Sequence, residues 1–343
     1  MCPERLEKIT ARYPMLRIAV AGDFCLDRYL EIDPTKQEIS IETGLPVYNV
    51  VNTRAQAGGA GTILNNLVAL GVGRLYPVGF CGNDGEGFEL QCALRSLGPR
   101  VDLNHFFVSD QRRTFTYCKP LVVREGRPPE ELNRLDSKNW SPTPVALQEK
   151  IKAAIENLAS NVDAFILLDQ VDVPETGVIT SAVLESVRAL VQAKPQMLIL
   201  ADSRRSLRGY PPVCFKMNCA EFSTLVGAKP DIGLEEIKKL AAELAKRQAR
   251  SVFVTLAERG IVGATPAGEV EHVPALPLRG EIDIVGAGDA VTANLACALA
   301  AGATLVEALE IANAAASIVI HQLGTTGTAS VSQIRDLILD GLV

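Results

Sequence analysis

The sequence predicts an α/β protein built on a mostly parallel central sheet, with a small second sheet set against it. Three observations carry this expectation. From Val145 onward, apolar strand-length runs alternate with helix-length amphipathic segments, the βαβ rhythm of a parallel sheet. Near the N-terminus the fully apolar run Leu16 to Ala21 stops at Gly22, as a strand buried on both faces does. Two extended stretches, about 29–54 and 113–124, lie outside the βα rhythm, so they are expected to form a separate small sheet, one face of which must be covered.

At 343 residues and 48% hydrophobic, the chain can bury a substantial core, and 1–343 reads as one unit with the extended stretches as an appendage. A net charge of −6 argues against a broad surface for nucleic acid or membrane. A small anionic ligand would need a local basic pocket. No apolar run reaches the length of a membrane span, and MCPERLEKITARYP lacks a signal-peptide core, so the expected location is the cytoplasm. The eight cysteines, Cys2, Cys25, Cys81, Cys92, Cys118, Cys214, Cys219 and Cys297, form no CxxC pair and read as scattered thiols rather than disulfides or a zinc site. His105, His272 and His321 are the only histidines, and none accompanies a Ser or Cys motif, which leaves a histidine-based triad without support.

The elements follow in order. Asp23 and Asp27 come just after the first strand, at the carboxyl edge where open α/β sheets bind ligands. Gly58-Gly59-Ala60-Gly61 opens a helix with Ile63, Leu64, Leu67, Val68 and Leu70 on its apolar face, closed by Gly71; glycines there let backbone amides approach a ligand. GNDGEG (Gly82 to Gly87) lacks the ligand spacing of a calcium loop and reads as a turn before a helix. Helix Val145 to Leu158 precedes strand Ala164 to Leu168, which ends at Asp169. Helix Gly177 to Ala193 precedes strand Met197 to Ala201, which ends at Asp202. Both carboxylates fall at strand carboxyl ends. Arg204, Arg205 and Arg208 crowd the next loop, either as solvated surface or with Arg204 holding a phosphate on a substrate. Strand Val213 to Met217 delivers Asn218 and Glu221 to the start of helix Ala220 to Val226, and Val252 to Thr255 is a further apolar strand.

The richest stretch is Glu281 to Ala301. A β-branched run, Ile282 to Val285, meets Gly286-Ala287-Gly288-Asp289, and an Ala-rich helix then runs without a breaker to Gly302. The first turn of a helix has unpaired N–H groups and a partial positive charge, so the Gly-Ala-Gly approach suits an anion. Asp289 in that turn is either a helix-end charge or a general base that takes a proton from an attacking hydroxyl beside the bound phosphate.

DIVGAGDA (Asp283 to Ala290) resembles the C-terminal motif of the ribokinase/PfkB superfamily of sugar and nucleoside kinases. GDFCLDRY (Gly22 to Tyr29), AGGAGTILNNLVALG (Ala57 to Gly71), GNDGEG, KMNCAE (Lys216 to Glu221), VTLAERG (Val254 to Gly260) and ANAAAS (Ala312 to Ser317) appear in the family's order, so the resemblance covers about Leu16 to Ile334. Through GDFCLDRY, RLD (Arg134 to Asp136) and LGTTGTASV, the chain is most similar to bacterial D-glycero-β-D-manno-heptose-7-phosphate kinases. The resemblance implies a ribokinase-like three-layer α/β/α fold whose β lid often pairs with its copy in a homodimer. It implies ATP and Mg²⁺, with Gly286, Ala287 and Gly288 as the anion hole and Asp289 as the base. It further implies sugar-hydroxyl contacts at Asp27, with Asp23, Gly58, Gly59, Thr62 and Asp169 as further candidates; Asp23 could equally be a turn residue. Asn218 and Glu221 are implied around Mg²⁺, the latter through water. Thr255, Ala257, Gly260 and Asn313 correspond to the nucleotide side, where Asn313 is either near the adenine or a core amide. Asp283 and carbonyls around Ile284 and Gly324 to Thr328 correspond to a monovalent-cation (K⁺) site. Three positions depart from the pattern: Thr62 where an asparagine is usual, Ile284 where a small or hydroxyl residue is usual, and Asn294 where a small one is.

The expected activity is ATP-dependent phosphorylation of a hydroxyl on a sugar or sugar phosphate. A nucleoside kinase of the same superfamily and a catalytically silent sugar- or nucleotide-binding relative are the alternatives. Against a dinucleotide dehydrogenase stand the glycine motif's place after most of the sheet and the lack of a GxGxxG opening the first βαβ unit. Some heptose-phosphate kinases carry a fused second catalytic domain; no stretch of 1–343 reads as one, so nucleotidyl transfer is expected of another polypeptide.

Overall fold

The protein is described from a computed structural model, which covers residues 1–339. The first apolar run forms the strand Arg17–Gly22, and its side chains alternate between two cores. Ile18 and Val20 pack into one cluster, Ala19 and Ala21 into the other. The same alternation places Ile166 and Leu168 on one face of the strand Ala164–Asp169, and Phe165 and Leu167 on the other. A strand buried on both faces has no solvent side to leave polar, which explains its unbroken apolar sequence.

Nine strands make the central sheet, in the order Val270–Val273, Ile261–Ala264, Val252–Thr255, Cys214–Asn218, Leu198–Ser203, Ala164–Asp169, Arg17–Gly22, Arg74–Gly82 and Phe106–Ser109. All pairings from Val252–Thr255 to Phe106–Ser109 are parallel, and the strands Ile261–Ala264 and Val270–Val273 extend the sheet antiparallel at one edge. Helices Ala60–Ala69, Ala287–Ala300 and Leu305–Val319 cover one face, and Val145–Leu158, Ser181–Ala193 and Leu234–Gln248 cover the other. The result is the three-layer α/β/α arrangement with every parallel strand delivering its carboxyl end to one edge.

The second sheet has five strands on a different plan from the one expected. Only Asp23 separates Arg17–Gly22 from the strand Phe24–Ile32, so the chain passes straight from the core into the lid, and Asp27 stands on a lid strand rather than in a loop. Phe24–Ile32 pairs antiparallel with Val50–Gly59 and parallel with Thr116–Val122, which in turn pairs with Leu135–Ser137 and with Glu130–Glu131. The lid therefore reaches beyond 29–54 and 113–124 at both ends and includes part of the RLD motif. Its outer part, with the hairpin Glu38–Ile39 and Pro46–Val47, exposes Ile39, Ile41, Leu45, Tyr48, Val50 and Val51.

One local expectation shifts for a physical reason. The helix expected from Gly177 begins at Ser181, capped by the Thr180 hydroxyl, because the Val178 amide is donated to Asp23 instead. Ile282 to Val285 forms a loop, with Ile282, Ile284 and Val285 exposed. All eight cysteines are free thiols. No helix among the described residues is long and apolar enough to cross a membrane.

Candidate active site

The carboxyl edge of the central sheet, the first turn of Ala287–Ala300 and the inner face of the lid enclose a cavity of about 610 Å³. Gly286 is the N-cap, with φ of 82°, a conformation that glycine adopts at little cost. The Ala287 amide donates to the Ile284 carbonyl at 3.2 Å, and Ala287 does not line the cavity. This corrects the expected anion hole. The amides of Gly286, Gly288 and Asp289 are the ones without an acceptor among the described residues, and all three residues line the cavity.

Asp289 is the third helical residue, and its carboxylate makes no hydrogen bond within the described residues. It is half-buried in the wall of the cavity. Burial pushes its pKa up to about 7; Lys216 and Arg204 oppose that rise, while Asp202 and Asp27 add to it.

Asp27 faces the cavity from the lid, with Lys119 Nζ 3.7 Å from its Oδ1. Burial raises its pKa against the pull of Lys119. Gly58 lies opposite: a Cβ there would stand 2.3 Å from Asp27 Oδ2, so glycine is what lets the two lid strands close around the carboxylate. Gly59 and Thr62 line the same wall, and Thr62 is buried.

Asp23 also borders the cavity, but its carboxylate is occupied. One oxygen accepts from the amides of Gln170 and Val171, at 2.8 and 3.3 Å, and the other from Val178 at 2.7 Å. It braces the loop after Ala164–Asp169 and has little left for a substrate. Asp169 is fully buried and does not line the cavity. Arg205, Ser203 and Tyr210 hold it at 2.7, 3.0 and 3.2 Å. The expectation of a sugar contact there is corrected, because the side chain turns into the layer behind the sheet. The neighbouring Arg204 turns the other way, lines the cavity and has no ion-pair partner among the described residues.

Asn218 and Glu221 form a reciprocal capping box: Asn218 Oδ1 accepts from the Glu221 amide at 2.9 Å, and Glu221 Oε2 accepts from the Asn218 amide at 2.8 Å. Both line the cavity, and the second Glu221 oxygen has no partner among the described residues. Thr255 pairs in register with Asn218, one strand further out. Thr255, Ala257 and Gly260 do not line the cavity, and Asn313 lies farther off, donating to the Pro274 carbonyl at 2.8 Å. Asp283 accepts from the Val285 amide at 3.0 Å and borders a second, smaller cavity with Gly324 and Thr325.

Several contributors were missed from sequence. Lys216 lies buried against Asp202 at 2.7 Å, in the strand Cys214–Asn218. A lysine inside an apolar strand of a doubly covered sheet was the available signal. Arg134, Lys138 and Trp140 line the lid side of the cavity; Asn139 fixes that loop by bonding both the amide and the carbonyl of Arg113. Arg134 opens the RLD stretch, whereas nothing in the local sequence marks Lys138 or Trp140. Gln56 Nε2 donates to Thr326 Oγ1 at 2.7 Å, tying the lid to the loop after Leu305–Val319.

A family model described as pfkB family carbohydrate kinase matches residues 17–331. The chain belongs to the PfkB family of carbohydrate kinases. The bifunctional protein HldE of Azorhizobium caulinodans is 32% identical over 310 residues, covering 90% of this chain and 61% of that protein. HldE of Gluconacetobacter diazotrophicus is 29% identical over 323 residues, covering 94% and 63%. The chain thus spans 61 to 63% of the length of these two relatives. Among solved structures, Arabidopsis thaliana ribokinase complexed with ribose and ATP superposes with a TM-score of 0.67 at 19% identity, covering 94% of this chain and 99% of that one. Escherichia coli phosphofructokinase-2 in complex with fructose-6-phosphate gives 0.68 at 17%, covering 94% and 98%. The PfkB kinase thus has the ribokinase-like fold.

Asp23 supplies the first testable consequence. Asp23→Ala leaves three backbone amides without their acceptor, at about 1–3 kcal/mol for each that stays buried. Urea unfolding followed by circular dichroism should show a loss of roughly 3 kcal/mol or more; an unchanged midpoint contradicts the bracing role.

Proposed function

We propose that the chain phosphorylates a hydroxyl of a sugar phosphate at the expense of ATP, with Asp289 as general base. The observation that carries this reading is a carboxylate with no protein partner, at the first turn of a helix where the Gly288 and Asp289 amides are free, inside a cavity large enough for a sugar and a triphosphate terminus. The acceptor hydroxyl gives its proton to Asp289, its oxygen bonds the γ-phosphorus, and the bond to the β–γ bridging oxygen breaks with its electron pair leaving on ADP. The amides of Gly286, Gly288 and Asp289 are aimed at the charge on the transferring group.

Asp27 accepts sugar hydroxyls from the lid side. Glu221, with one oxygen still unpaired, and Asn218 suit a Mg²⁺ bound mostly through water and phosphate, and no cluster of three acidic, histidine or cysteine side chains forms a direct cage among the described residues. That ion supplies charge neutralisation on the leaving phosphates. The nucleotide would extend past Asn218 toward Thr255, Ala257 and Gly260.

Support for a phosphorylated acceptor comes from the cations at the lid side of the cavity. Arg204 is unpaired, Lys138 holds Asp172 at 2.7 Å, and Arg134 lies over the Tyr117 ring at 5.2 Å. Their guanidinium and ammonium groups suit an anion on the sugar more than a neutral nucleoside. A monovalent cation is proposed beside Asp283, where the Gly324 and Thr325 backbone closes the small cavity.

Asp289→Asn should lower kcat by about 10²–10⁴-fold with nucleotide affinity within twofold of wild type; full turnover in that variant refutes the base. Because the base must be ionised and its pKa is pushed up to about 7, kcat/KM should fall as pH drops through that value. A flat profile between pH 6 and 8 counts against Asp289. Arg204→Ala should reduce kcat/KM for a sugar phosphate by at least about tenfold, a loss of roughly 1.4 kcal/mol, and for the free sugar much less. Equal losses on both remove the anion contact. Replacing K⁺ by Na⁺ at equal ionic strength should lower turnover in wild type but not in Asp283→Ala; the same ion response in both removes that site.

A further inference from the structure

Trp140 is the only tryptophan in the chain, and 75% of its surface is exposed. A tryptophan is usually well covered, although a lone exposed apolar side chain on open surface is ordinary. Trp140 does not stand on open surface. It lines the main cavity on the lid side, together with Tyr117, Arg134, Lys138 and Asn139.

The backbone on either side of it is fastened. Before it, Asn139 Oδ1 accepts from the Arg113 amide at 3.0 Å and Asn139 Nδ2 donates to the Arg113 carbonyl at 2.8 Å. After it, the buried Arg112 spends its guanidinium on backbone: Nη1 donates to the Ser141 and Pro142 carbonyls at 2.9 and 3.3 Å, and Nη2 to the Thr176 carbonyl. Thr143 adds a hydroxyl bond to the Gly177 carbonyl at 2.6 Å and an amide bond to the Glu175 carbonyl at 2.7 Å. Glu175 has a left-handed φ of 64°, a conformation that the surrounding bonds must impose on a residue other than glycine. Asp23 holds the same loop through Gln170, Val171 and Val178. Burying a guanidinium without a carboxylate costs free energy. What that cost secures is a stiff double loop, 139–143 against 170–178, with an uncovered indole at its edge.

The sheet order decides which ligand the indole meets. The loop 170–178 follows Ala164–Asp169, two strands from Cys214–Asn218 and on the side away from Val252–Thr255. The nucleotide is placed toward Thr255, so Trp140 stands at the acceptor end. A sugar ring has hydroxyls around its edge and C–H bonds across its faces, and such a face suits a flat aromatic ring.

We propose that Trp140 is a specificity-determining residue whose indole covers the C–H face of a closed-ring sugar phosphate while Asp27 takes the ring's hydroxyls. The proposal rests on the sugar-phosphate kinase reading above. An open-chain polyol phosphate has no continuous face to lay against the indole, so it is discriminated against even where its phosphate fits.

With a single tryptophan, the emission of the full chain reports this position alone. Wild type in Mg²⁺ and the unreactive imido analogue of ATP is titrated with mannose-6-phosphate, fructose-6-phosphate and D-glycero-D-manno-heptose-7-phosphate, with sorbitol-6-phosphate and adenosine as controls. At least one cyclic sugar phosphate should move the emission to shorter wavelength, saturating near its KM. A sugar phosphate that is turned over without any shift overturns the proposal, and so does an equal shift from sorbitol-6-phosphate or adenosine. Trp140→Ala should raise the acceptor KM by about tenfold, with kcat within about threefold, the KM for ATP within about twofold and the unfolding midpoint unchanged. Trp140→Phe should bring the acceptor KM back to within about threefold of wild type. Because the ring face carries no charge, the loss in Trp140→Ala should be the same for a sugar phosphate and its free sugar, unlike that in Arg204→Ala. An unchanged acceptor KM, or an equal rise for ATP, removes the contact. Should wild type release no ADP with any sugar phosphate, the kinase reading fails, while the emission titration still decides whether Trp140 meets a sugar: no shift with any of the three overturns it.

Discussion

The carboxylate of Asp289, set without a protein partner at the start of a helix and against buried charges of both signs, is the constraint the surrounding structure accommodates. The side chain stands at the third residue of a helix, where the helix dipole favours the ionised form, yet burial pushes its pKa up to about 7. Two cations, Lys216 and Arg204, keep the rise from going further, and Asp202 and Asp27 work the other way. Since Phe24–Ile32 follows the first core strand after a single residue, the lid is continuous with the central sheet rather than joined to it by a loose linker.

The same edge concentrates groups that a stable core would avoid. Asp23, Asp169 and Lys216 are each buried, and each has a different solution to the cost of a buried charge. Asp23 collects three backbone amides, Asp169 collects Arg205, Ser203 and Tyr210, and Lys216 is matched by Asp202. Asp23 is spent within the protein, while Asp169 holds its three partners through Oδ2 and leaves a buried Oδ1 unpaired, away from the cavity. The third keeps donors in reserve and meets the cavity itself.

Legibility in the sequence followed how local each cause was. The helices Val145–Leu158 and Cys219–Val226 and the strand Val252–Thr255 lay within a residue of where apolar spacing and caps put them. Asp289, Gly286 and Gly288 sit in one turn, so a short motif was enough to bring them together. The lid was legible as extended chain, but its pairing was not: Phe24–Ile32 takes its partners from Val50–Gly59 and Thr116–Val122, and β-pairing at such separations leaves no local pattern. Asp169 and Asp202 looked alike at the ends of successive strands; only packing sent one into the layer behind the sheet and the other to the cavity.

By itself, the sequence determined the α/β class, the family and the turn that carries Asp289, because each depends on periodicity or on neighbours within a few residues. Tertiary structure alone decided that Ala287 spends its amide on Ile284, that Asp23 is consumed by Gln170, Val171 and Val178, that Arg204 rather than Arg205 faces the cavity, and that Lys216 meets the first turn of Ala287–Ala300. Hydrogen-bond capacity is shared among groups far apart in the chain, so which donors and acceptors remain free is settled only when the layers close.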